Sequence, residues 1–193
     1  FWAYVDTYSN TYSVDGGTTM LPIPKQTISL SDLQYFYRLQ SLSVMATSVT
    51  GAEALSSCHE LITLTLDTCG QVDLNWLNGC QNLTYLMVRN CDSVLLTGAG
   101  TDSSTNDMTI ENCGTVSGTE LAEFSRLTSL SVRGGPLKNP DALGNLTNLS
   151  YLSIGGTGIE NVDFITNIKG LSSLNLSESG VSALPSLDLL PNL

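Results

Sequence analysis

The chain of 193 residues is predicted to fold as a right-handed solenoid of the α/β type, in which short repeats stack along one axis. An apolar phrase, Leu-x-x-Leu-x-Leu or a close variant, returns at a fixed spacing and begins at positions 39, 61, 83, 105, 127, 149 and 171. Its fourth and sixth positions are two apart, so they share one face of a β-strand. Apolar residues then recur at a spacing of three, which suits a 3₁₀ or irregular return better than a long helix.

We number the slots of each repeat from 1 to 22, with slot 1 at the first position of the apolar phrase. Each repeat is predicted to contain a short strand around slots 3 to 7, a tight turn and a mostly 3₁₀ return. Neighbouring strands are then expected to pair in parallel, about 4.8 Å apart. Slots 4 and 6 of successive repeats hold Leu42 and Val44, Leu64 and Leu66, Leu86 and Val88, Met108 and Ile110, Leu130 and Val132, Leu152 and Ile154, and Leu174 and Leu176.

This pattern resembles the leucine-rich repeat of the 22-residue, internalin-like type, which is known from bacterial cell-surface proteins. The resemblance covers residues 39–193 and extends more weakly over 17–38, where Leu30, Leu33 and Phe36 occupy slots 14, 17 and 20. It implies a leucine-rich-repeat solenoid with a parallel β-sheet on the concave face and a 3₁₀ or irregular convex face. Because such a scaffold hosts many functions, it implies binding rather than any particular ligand.

Slot 9 departs from the internalin-like pattern, which places Asn there to bond inward to the backbone of the turn. Hydroxyl and thiol side chains can still donate to a buried carbonyl, although a thiol does so weakly. In successive repeats, slot 9 holds Thr47, Cys69, Cys91, Cys113, Gly135, Thr157 and Ser179.

The five cysteines fall in slots 9 and 20, where the repeat requires small or apolar buried groups. Free cysteine packs as a small hydrophobe, so we expect all five to be reduced and buried. Cys58 and Cys80 are one coil apart, and a disulfide between them is the alternative. With one histidine and no Cys-x-x-Cys motif, the sequence predicts no metal site and no cofactor.

The two ends of the chain depart from the repeat. Phe1, Val5, Tyr8 and Tyr12 recur at helical spacing, so we expect residues 1–16 to form a short N-terminal capping helix over the first coil. The rival interpretation is an aromatic platform for a ligand. At the other end, Leu193 is still in register and no cap follows, so we expect either that the native chain continues or that this open end contacts a partner.

Composition excludes some function classes. The net charge is −11, from 7 basic and 18 acidic residues, whereas nucleic-acid binding requires clustered Lys and Arg. No apolar run is long enough to cross a membrane. Charged residues make up 13% of the chain, against about 25% in typical domains. A surface rich in Ser and Thr instead favours a secreted or cell-surface bacterial protein.

Side chains for catalysis are sparse. His59 is the only histidine and falls in slot 21, on the convex side, with no partner for a catalytic triad. We therefore predict that the protein is not an enzyme. In the degenerate segment 97–107, Ala99 and Asp102 replace the expected Leu or Ile of slots 17 and 20. This segment is expected to form a convex bulge, and the alternative is a metal-binding or partner-binding loop.

The concave face is the candidate binding site, because slots 3, 5 and 7 point away from the core. Slot 7 carries charges of alternating sign, and slots 3 and 5 add two tyrosines and a methionine. Arg and Tyr are enriched at binding hot spots, although a charge ladder that only stabilises the sheet is the competing interpretation. The candidate residues are Asp67, Tyr85, Met87, Arg89, Glu111, Arg133 and Tyr151.

The sequence therefore favours a non-catalytic scaffold outside a bacterial cell that binds a protein or a glycan through its concave sheet. Two alternatives stay open. One is a cytosolic regulator that resembles the phosphatase-binding proteins with the same repeat length. The other is a structural spacer that holds other domains away from the cell surface.

Overall fold

The computed structural model describes residues 2–6, 11–14, 27–46 and 48–193. Some of the sequence predictions fall outside the described residues, at Phe1, Tyr8, residues 17–26 and Thr47. The described chain forms fifteen strands: β1 (Trp2–Asp6), β2 (Thr11–Val14), β3 (Thr27–Ser29), β4 (Ser41–Met45), β5 (Ser48–Thr50), β6 (Thr63–Asp67), β7 (Gln71–Asp73), β8 (Tyr85–Arg89), β9 (Ser93–Leu95), β10 (Asp107–Glu111), β11 (Val116–Ser117), β12 (Ser129–Arg133), β13 (Leu137–Lys138), β14 (Tyr151–Ser153) and β15 (Ser173–Asn175).

Nine of these strands form one sheet in the order β15-β14-β12-β10-β8-β6-β4-β1-β2. All of its pairs are parallel except β1 with β2, which is antiparallel. From β4 to β15 each residue faces its counterpart one repeat later, as Ser41 faces Thr63 and Tyr151 faces Ser173. The period of the sequence is therefore the register of the sheet.

The core lies on one face of this sheet. From Leu42 to Ile154, every residue in slots 4 and 6 is at most 2% exposed. The residues between them are half-exposed, which gives β4, β8, β10 and β12 an alternating burial pattern. This is the pattern expected for a sheet packed on one side only. The predicted parallel sheet is confirmed.

The return paths contain 3₁₀ turns, as predicted, and some of them also contain short strand pairs that were not predicted. Beside the main sheet, β3 pairs with β5, β7 with β9, and β11 with β13, all in parallel. One α-helical turn, α1, spans Gly118–Leu121. The six 3₁₀ helices of the described chain are Ser31–Tyr35, Ala52–Ser57, Asn75–Gly79, Pro140–Asn145, Asp163–Asn167 and Leu187–Leu189.

Acidic residues stand in the first turn of nearly every one of these short helices, and none of the helices described has a basic residue in its last turn. A carboxylate there compensates the unpaired backbone N–H groups at a helix start. The acidic residues at these helix starts are Asp32, Glu53, Glu120, Asp141, Asp163 and Asp188. Part of the strong negative charge therefore belongs to the repeat itself.

The helix predicted for residues 1–16 was wrong, because the described part of that segment consists of β1 and β2. β1 pairs in parallel with β4, and β2 folds back on β1. An open sheet edge offers unpaired N–H and C=O groups that a strand satisfies and a helix does not. Trp, Tyr and Val are also favoured in strands, and this preference outweighs the helical spacing.

The degenerate segment 97–107 is a series of turns with small side chains packed inside the coil. Ala99 is fully buried, and a Cβ on Gly100 would lie 2.6 Å from the Glu123 carbonyl carbon. Fully buried Phe124 occupies slot 20 of the following coil. A bulkier side chain in the next coil therefore compensates for the missing Leu of this coil. The packing of segment 97–107 is accounted for without a bound ligand.

At the last coil, the leucines of slots 14 and 17 are half-exposed. Leu184 and Leu187 are 50% and 49% exposed. Leu74 and Leu77, in the same slots of an earlier coil, are 0% and 1% exposed. Each inner coil is thus covered by the coil that follows it.

Candidate binding surface

The candidate residues lie on β6, β8, β10, β12 and β14, five adjacent strands of the main sheet. Slots 3, 5 and 7 emerge on the face opposite the core, because successive side chains of a strand alternate. Tyr85, Met87 and Arg89 all belong to β8 and are all partly exposed. The sheet therefore presents an aromatic ring, a thioether and a guanidinium on one strand.

Asp67 and Arg89 form the one ion pair found among the described residues, with 2.8 Å between Arg89 Nε and Asp67 Oδ2. The other carboxylate oxygen, Oδ1, accepts hydrogen bonds of 2.9 Å from Thr68 Oγ1 and Asn90 Nδ2. Burial alone would raise the pKa of Asp67, but these hydrogen bonds and the charge of Arg89 outweigh it and hold the pKa below its usual value. Asp67 is therefore an ionised anchor.

The ion pair fixes Arg89 without burying it. The Asp67 side chain is 8% exposed, whereas that of Arg89 is 42% exposed. Asp67 is thus too buried to contact a ligand broadly, and its part in the surface is to position Arg89. The sequence placed both residues in the site and did not distinguish these two roles.

Tyr85 lies on the same strand as this arginine, at its other end. Its hydroxyl approaches Met87 Sδ at 3.9 Å, and it stands directly opposite Asp107 of β10. Burial raises the pKa of Tyr85, and the Asp107 charge raises it further against the opposing effect of Arg89. The phenol is therefore neutral and can donate or accept a hydrogen bond.

Glu111 and Arg133 face each other in register on β10 and β12. They form no ion pair, since the Asp67–Arg89 pair is the only contact of this kind in the described residues. Of the alternating charges predicted for slot 7, only Asp67 and Arg89 therefore pair across neighbouring strands. Beyond it, the surface offers a carboxylate and a guanidinium that are not paired with each other.

Tyr151 lies at the far side of the surface. It is 37% exposed and stands on β14, three strands from Tyr85. At about 4.8 Å per strand, the two rings are roughly 14 Å apart. The two tyrosines therefore mark the edges of one surface and are not a joint aromatic platform.

Two strands away from Glu111, the Ser153 hydroxyl is buried and has no hydrogen-bond partner among the described residues.

Sequence reasoning missed slot 8, which sets how each strand ends. From the second repeat onward this slot has a positive φ, between 52° and 68°. Asn90 bonds to Asp67, and Asn112 Nδ2 donates to Asn90 Oδ1 at 3.4 Å. The signal was present, because Asn and Gly favour this conformation. In slot 8, a positive φ is found at Thr68, Asn90, Asn112, Gly134, Gly156 and Glu178.

Slot 9 behaves as predicted at four of its positions, which are Cys69, Cys91, Cys113 and Thr157. Cys69, Cys91 and Cys113 each donate, at 3.3 Å, to the carbonyl oxygen two positions earlier, in slot 7. The Thr157 hydroxyl donates to the Ile154 carbonyl at 2.7 Å. All five cysteines are buried and free. Thiols and hydroxyls thus satisfy the inner side of the turn.

In the described part of the chain, no group of His, Cys, Asp and Glu side chains is arranged to hold a metal ion. Nor does this part contain a helix of the length and apolar character needed to cross a membrane.

This fold is that of the internalin-like leucine-rich-repeat proteins. Among solved structures, an internalin (inlF) from Listeria monocytogenes matches 85% of the chain at 20% identity with a TM-score of 0.57. Internalin C2 from the same organism matches 83% of the chain at 20% identity with a TM-score of 0.55. A TDR receptor matches 86% at 18% identity with a TM-score of 0.66.

The chain spans 55% of the first internalin, 81% of internalin C2 and 32% of the receptor. No protein-family model and no curated protein sequence matches it. At these identities the neighbours define the fold, and the function has to be argued from the surface itself.

Proposed function

We propose that the protein is a non-catalytic scaffold that binds another macromolecule, a protein or a glycan, through the concave sheet. One observation supports this most directly. Arg89 is fixed by a buried carboxylate at 2.8 Å and still keeps 42% of its side chain exposed. A side chain that is ordered before binding loses little conformational entropy when a partner arrives.

The neighbours of Arg89 fit the same function. Tyr85 and Met87 add partly exposed area on the same strand, and Tyr and Arg are common hot-spot residues. Glu111 and Arg133 extend the surface with charges of opposite sign. Strands of a continuous sheet hold all of these groups at fixed separations, which is the property that a recognition surface requires.

We further propose that this scaffold acts at or beyond the bacterial cell surface. The low proportion of charged residues, 13%, and the exposed Ser and Thr support this location. The resemblance to internalin-like repeats supports it too. A cytosolic regulator and a structural spacer remain the two competing functions.

The test begins with a screen of the wild-type chain against a glycan array and a displayed library of receptor ectodomains. Each hit is then measured with Arg89→Ala, Tyr85→Ala and a matched control, Arg126→Ala. Arg126 lies on the convex side, where its Nη1 donates to Ser104 Oγ at 3.3 Å. We expect the two concave variants to lose about 5- to 150-fold in affinity, which corresponds to roughly 1–3 kcal/mol.

The control variant should bind as the wild type does. Equal binding by all three variants would show that the binding site lies outside the concave sheet. A loss of melting temperature in Arg89→Ala with unchanged binding would show that the Asp67–Arg89 pair only stabilises the sheet. A screen with no hit, in either library, would favour the spacer.

A further inference from the structure

Three thiols form a column beneath the candidate surface. Cys69, Cys91 and Cys113 occupy slot 9 of three successive coils and are 0%, 3% and 6% exposed. None of them is in a disulfide. The next residue in this slot is Gly135, where a Cβ would collide with the Cys113 carbonyl oxygen. The column therefore ends at Cys113 on that side.

Hydrogen bonds show that the coils are in contact at the height of these thiols. Asp92 N donates to Gly70 O at 2.8 Å, and Gly114 N donates to Cys91 O at 3.2 Å. Cys113 Sγ also reaches Val88 O, in the coil that carries Cys91, at 3.6 Å. Each thiol of the column is thus in register with the next.

This spacing suits a disulfide between neighbours. Coils in a parallel sheet are about 4.8 Å apart, and disulfides join Cα atoms about 4.4–6.8 Å apart. Two steps along the column come to roughly 9.6 Å, which no disulfide spans. Cys91 has a thiol on each side, whereas Cys69 and Cys113 are too far from each other.

We propose that the column is an oxidation site in which Cys91 forms a reversible disulfide with one of its two neighbours, Cys69 or Cys113. The two bridges exclude each other because they share one sulfur atom. Oxidation of the column therefore always leaves one outer thiol free. This property does not depend on the binding function of the concave face.

The oxidant that the site suits is a hydroperoxide, because hydrogen peroxide is small enough to enter when neighbouring coils separate transiently. A thiolate attacks one peroxide oxygen, the O–O bond breaks, and a sulfenic acid and water result. Cys91 then attacks the sulfenic sulfur, the S–S bond forms, and a second water leaves. Two thiols lose two electrons in total, and one peroxide is reduced to two waters.

Among Cys69 and Cys91, Cys69 is the thiol whose pKa is lowered. The neighbouring Cys91 thiol is the main cause that lowers the pKa of Cys69, and it outweighs the opposite effect of burial. For Cys91, the neighbouring Cys113 thiol lowers the pKa, but the Cys69 thiol on the other side and burial raise it to about 12. Reaction with peroxide follows thiolate content.

The thiol column also contacts the backbone of the concave strands from the core side. Each of the three thiols donates to a backbone carbonyl in slot 7, namely that of Asp67, Arg89 or Glu111, at 3.3 Å. A bridge consumes two of these donors and ties two coils together under Arg89. Oxidation is therefore expected to act on the strand ends that carry the candidate binding residues.

The test uses the full chain, treated with graded hydrogen peroxide and quenched with N-ethylmaleimide in denaturant without reductant. Non-reducing digestion and mass spectrometry then identify each linkage. We expect one column bridge, which removes two of the five thiols, with Cys91 present in every bridge of the column. Treatment with a phosphine reductant should restore all of them.

Variants distinguish this site from general oxidation. In Cys91→Ala, both Cys69 and Cys113 should stay open to alkylation after peroxide. In Cys69→Ala, the Cys91–Cys113 bridge should still form, and in Cys113→Ala the Cys69–Cys91 bridge should. These two single variants carry the test if Cys91→Ala does not fold. A Cys69–Cys113 linkage, or a reduced Cys91 under conditions that bridge Cys58 to Cys80, would overturn the proposal.

Discussion

At the scale of the residue, Asp67 combines burial with three partners. Its carboxylate is bonded to Arg89 Nε, Asn90 Nδ2 and Thr68 Oγ1. Removal of a charged partner leaves the others without compensation, which costs more than the net value of the pair. A single substitution at this position therefore tests how the strand ends of β6 and β8 are held.

Asp67→Asn is expected to lower the free energy of unfolding at neutral pH by about 1–2 kcal/mol. Because the pKa of Asp67 is depressed in the folded state, its contribution is present above the unfolded pKa of about 3.9 and is lost as the pH falls through the folded value. Urea unfolding at pH 7 and at about pH 2.5 measures both effects. The difference in free energy of unfolding between the wild type and Asp67→Asn should be smaller at the acidic pH.

Asp92→Asn is the matched control, since Asp92 is exposed and its side chain makes no hydrogen bond among the described contacts. It should match the wild type at both pH values. A gap for Asp67→Asn that is the same in acid would show that charge is not the origin of its effect.

A second residue-scale prediction concerns the positive φ of slot 8. Glu178 has φ 59°, in the column where four of the other coils have Asn or Gly. A non-glycine residue in this conformation carries strain that Asn tolerates better. Glu178→Asn should raise the free energy of unfolding by about 0.5–1 kcal/mol. Glu123→Asn, at an exposed position without a positive φ, should give no gain, and an equal gain there would point to charge removal instead.

At the scale of the element, the sequence predicts best where one physical effect decides the outcome. The period of Leu and Val in slots 4 and 6 leads directly to the parallel sheet, because only one face of each strand can be buried. Two failures have different causes. The strand pairing of β1 depends on an edge that only the folded sheet provides, and the charge pairing in slot 7 depends on side-chain geometry that the spacing does not contain.

The candidate site shows the same division. Residue type and slot place Arg89 and Tyr85 on the concave face. The difference between buried Asp67 and unpaired Glu111 arises from Asn90 and Thr68 in the neighbouring slot. That difference could not be predicted, since it requires knowledge of which side chains meet.

The element-scale prediction concerns the close packing of segment 97–107. In Gly100→Ala, the new Cβ would lie 2.6 Å from the Glu123 carbonyl carbon and 2.8 Å from Phe124 N. These are backbone atoms that cannot rotate away, so we expect the free energy of unfolding to fall by about 1–3 kcal/mol. Denaturant unfolding measures it.

Gly98→Asn serves as the comparison, because Gly98 has φ 72° and open space around its Cβ direction. It should cost much less than Gly100→Ala, as Asn accepts this conformation. Equal costs for the two substitutions would show that segment 97–107 is loose rather than packed.

At the scale of the whole molecule, the net charge of −11 is not distributed at random. The 3₁₀ helices repeat an acidic residue at their starts, so carboxylates such as Asp141 and Asp163 recur from one coil to the next. Screening should relieve this repulsion. We expect the melting temperature to rise by about 2–5 °C between roughly 20 mM and 0.5 M NaCl.

Choline chloride should give a similar rise, because it screens charge without supplying a metal cation. A rise with sodium alone would indicate specific cation binding. A fall of the melting temperature would mean that the favourable carboxylate contacts at the helix starts outweigh the repulsion between coils.

The inner and outer sides of the solenoid do not keep the same residue spacing in every coil, although β7 and β9 pair at the full 22 residues. On the main sheet Asp107 faces Ser129, the same slot of the next repeat, whereas on the return path Val116 faces Leu137 and not Lys138, which shares its slot. Thr27 and Ser48 show the same shortfall of one position. The segment that joins the inner and outer strands of a coil can therefore be one residue longer or shorter without any change in the strands themselves. Length variation during evolution can accumulate on the outer side of this solenoid while the inner surface keeps its pattern, so the repeat can diverge in sequence and still present the same array of side chains.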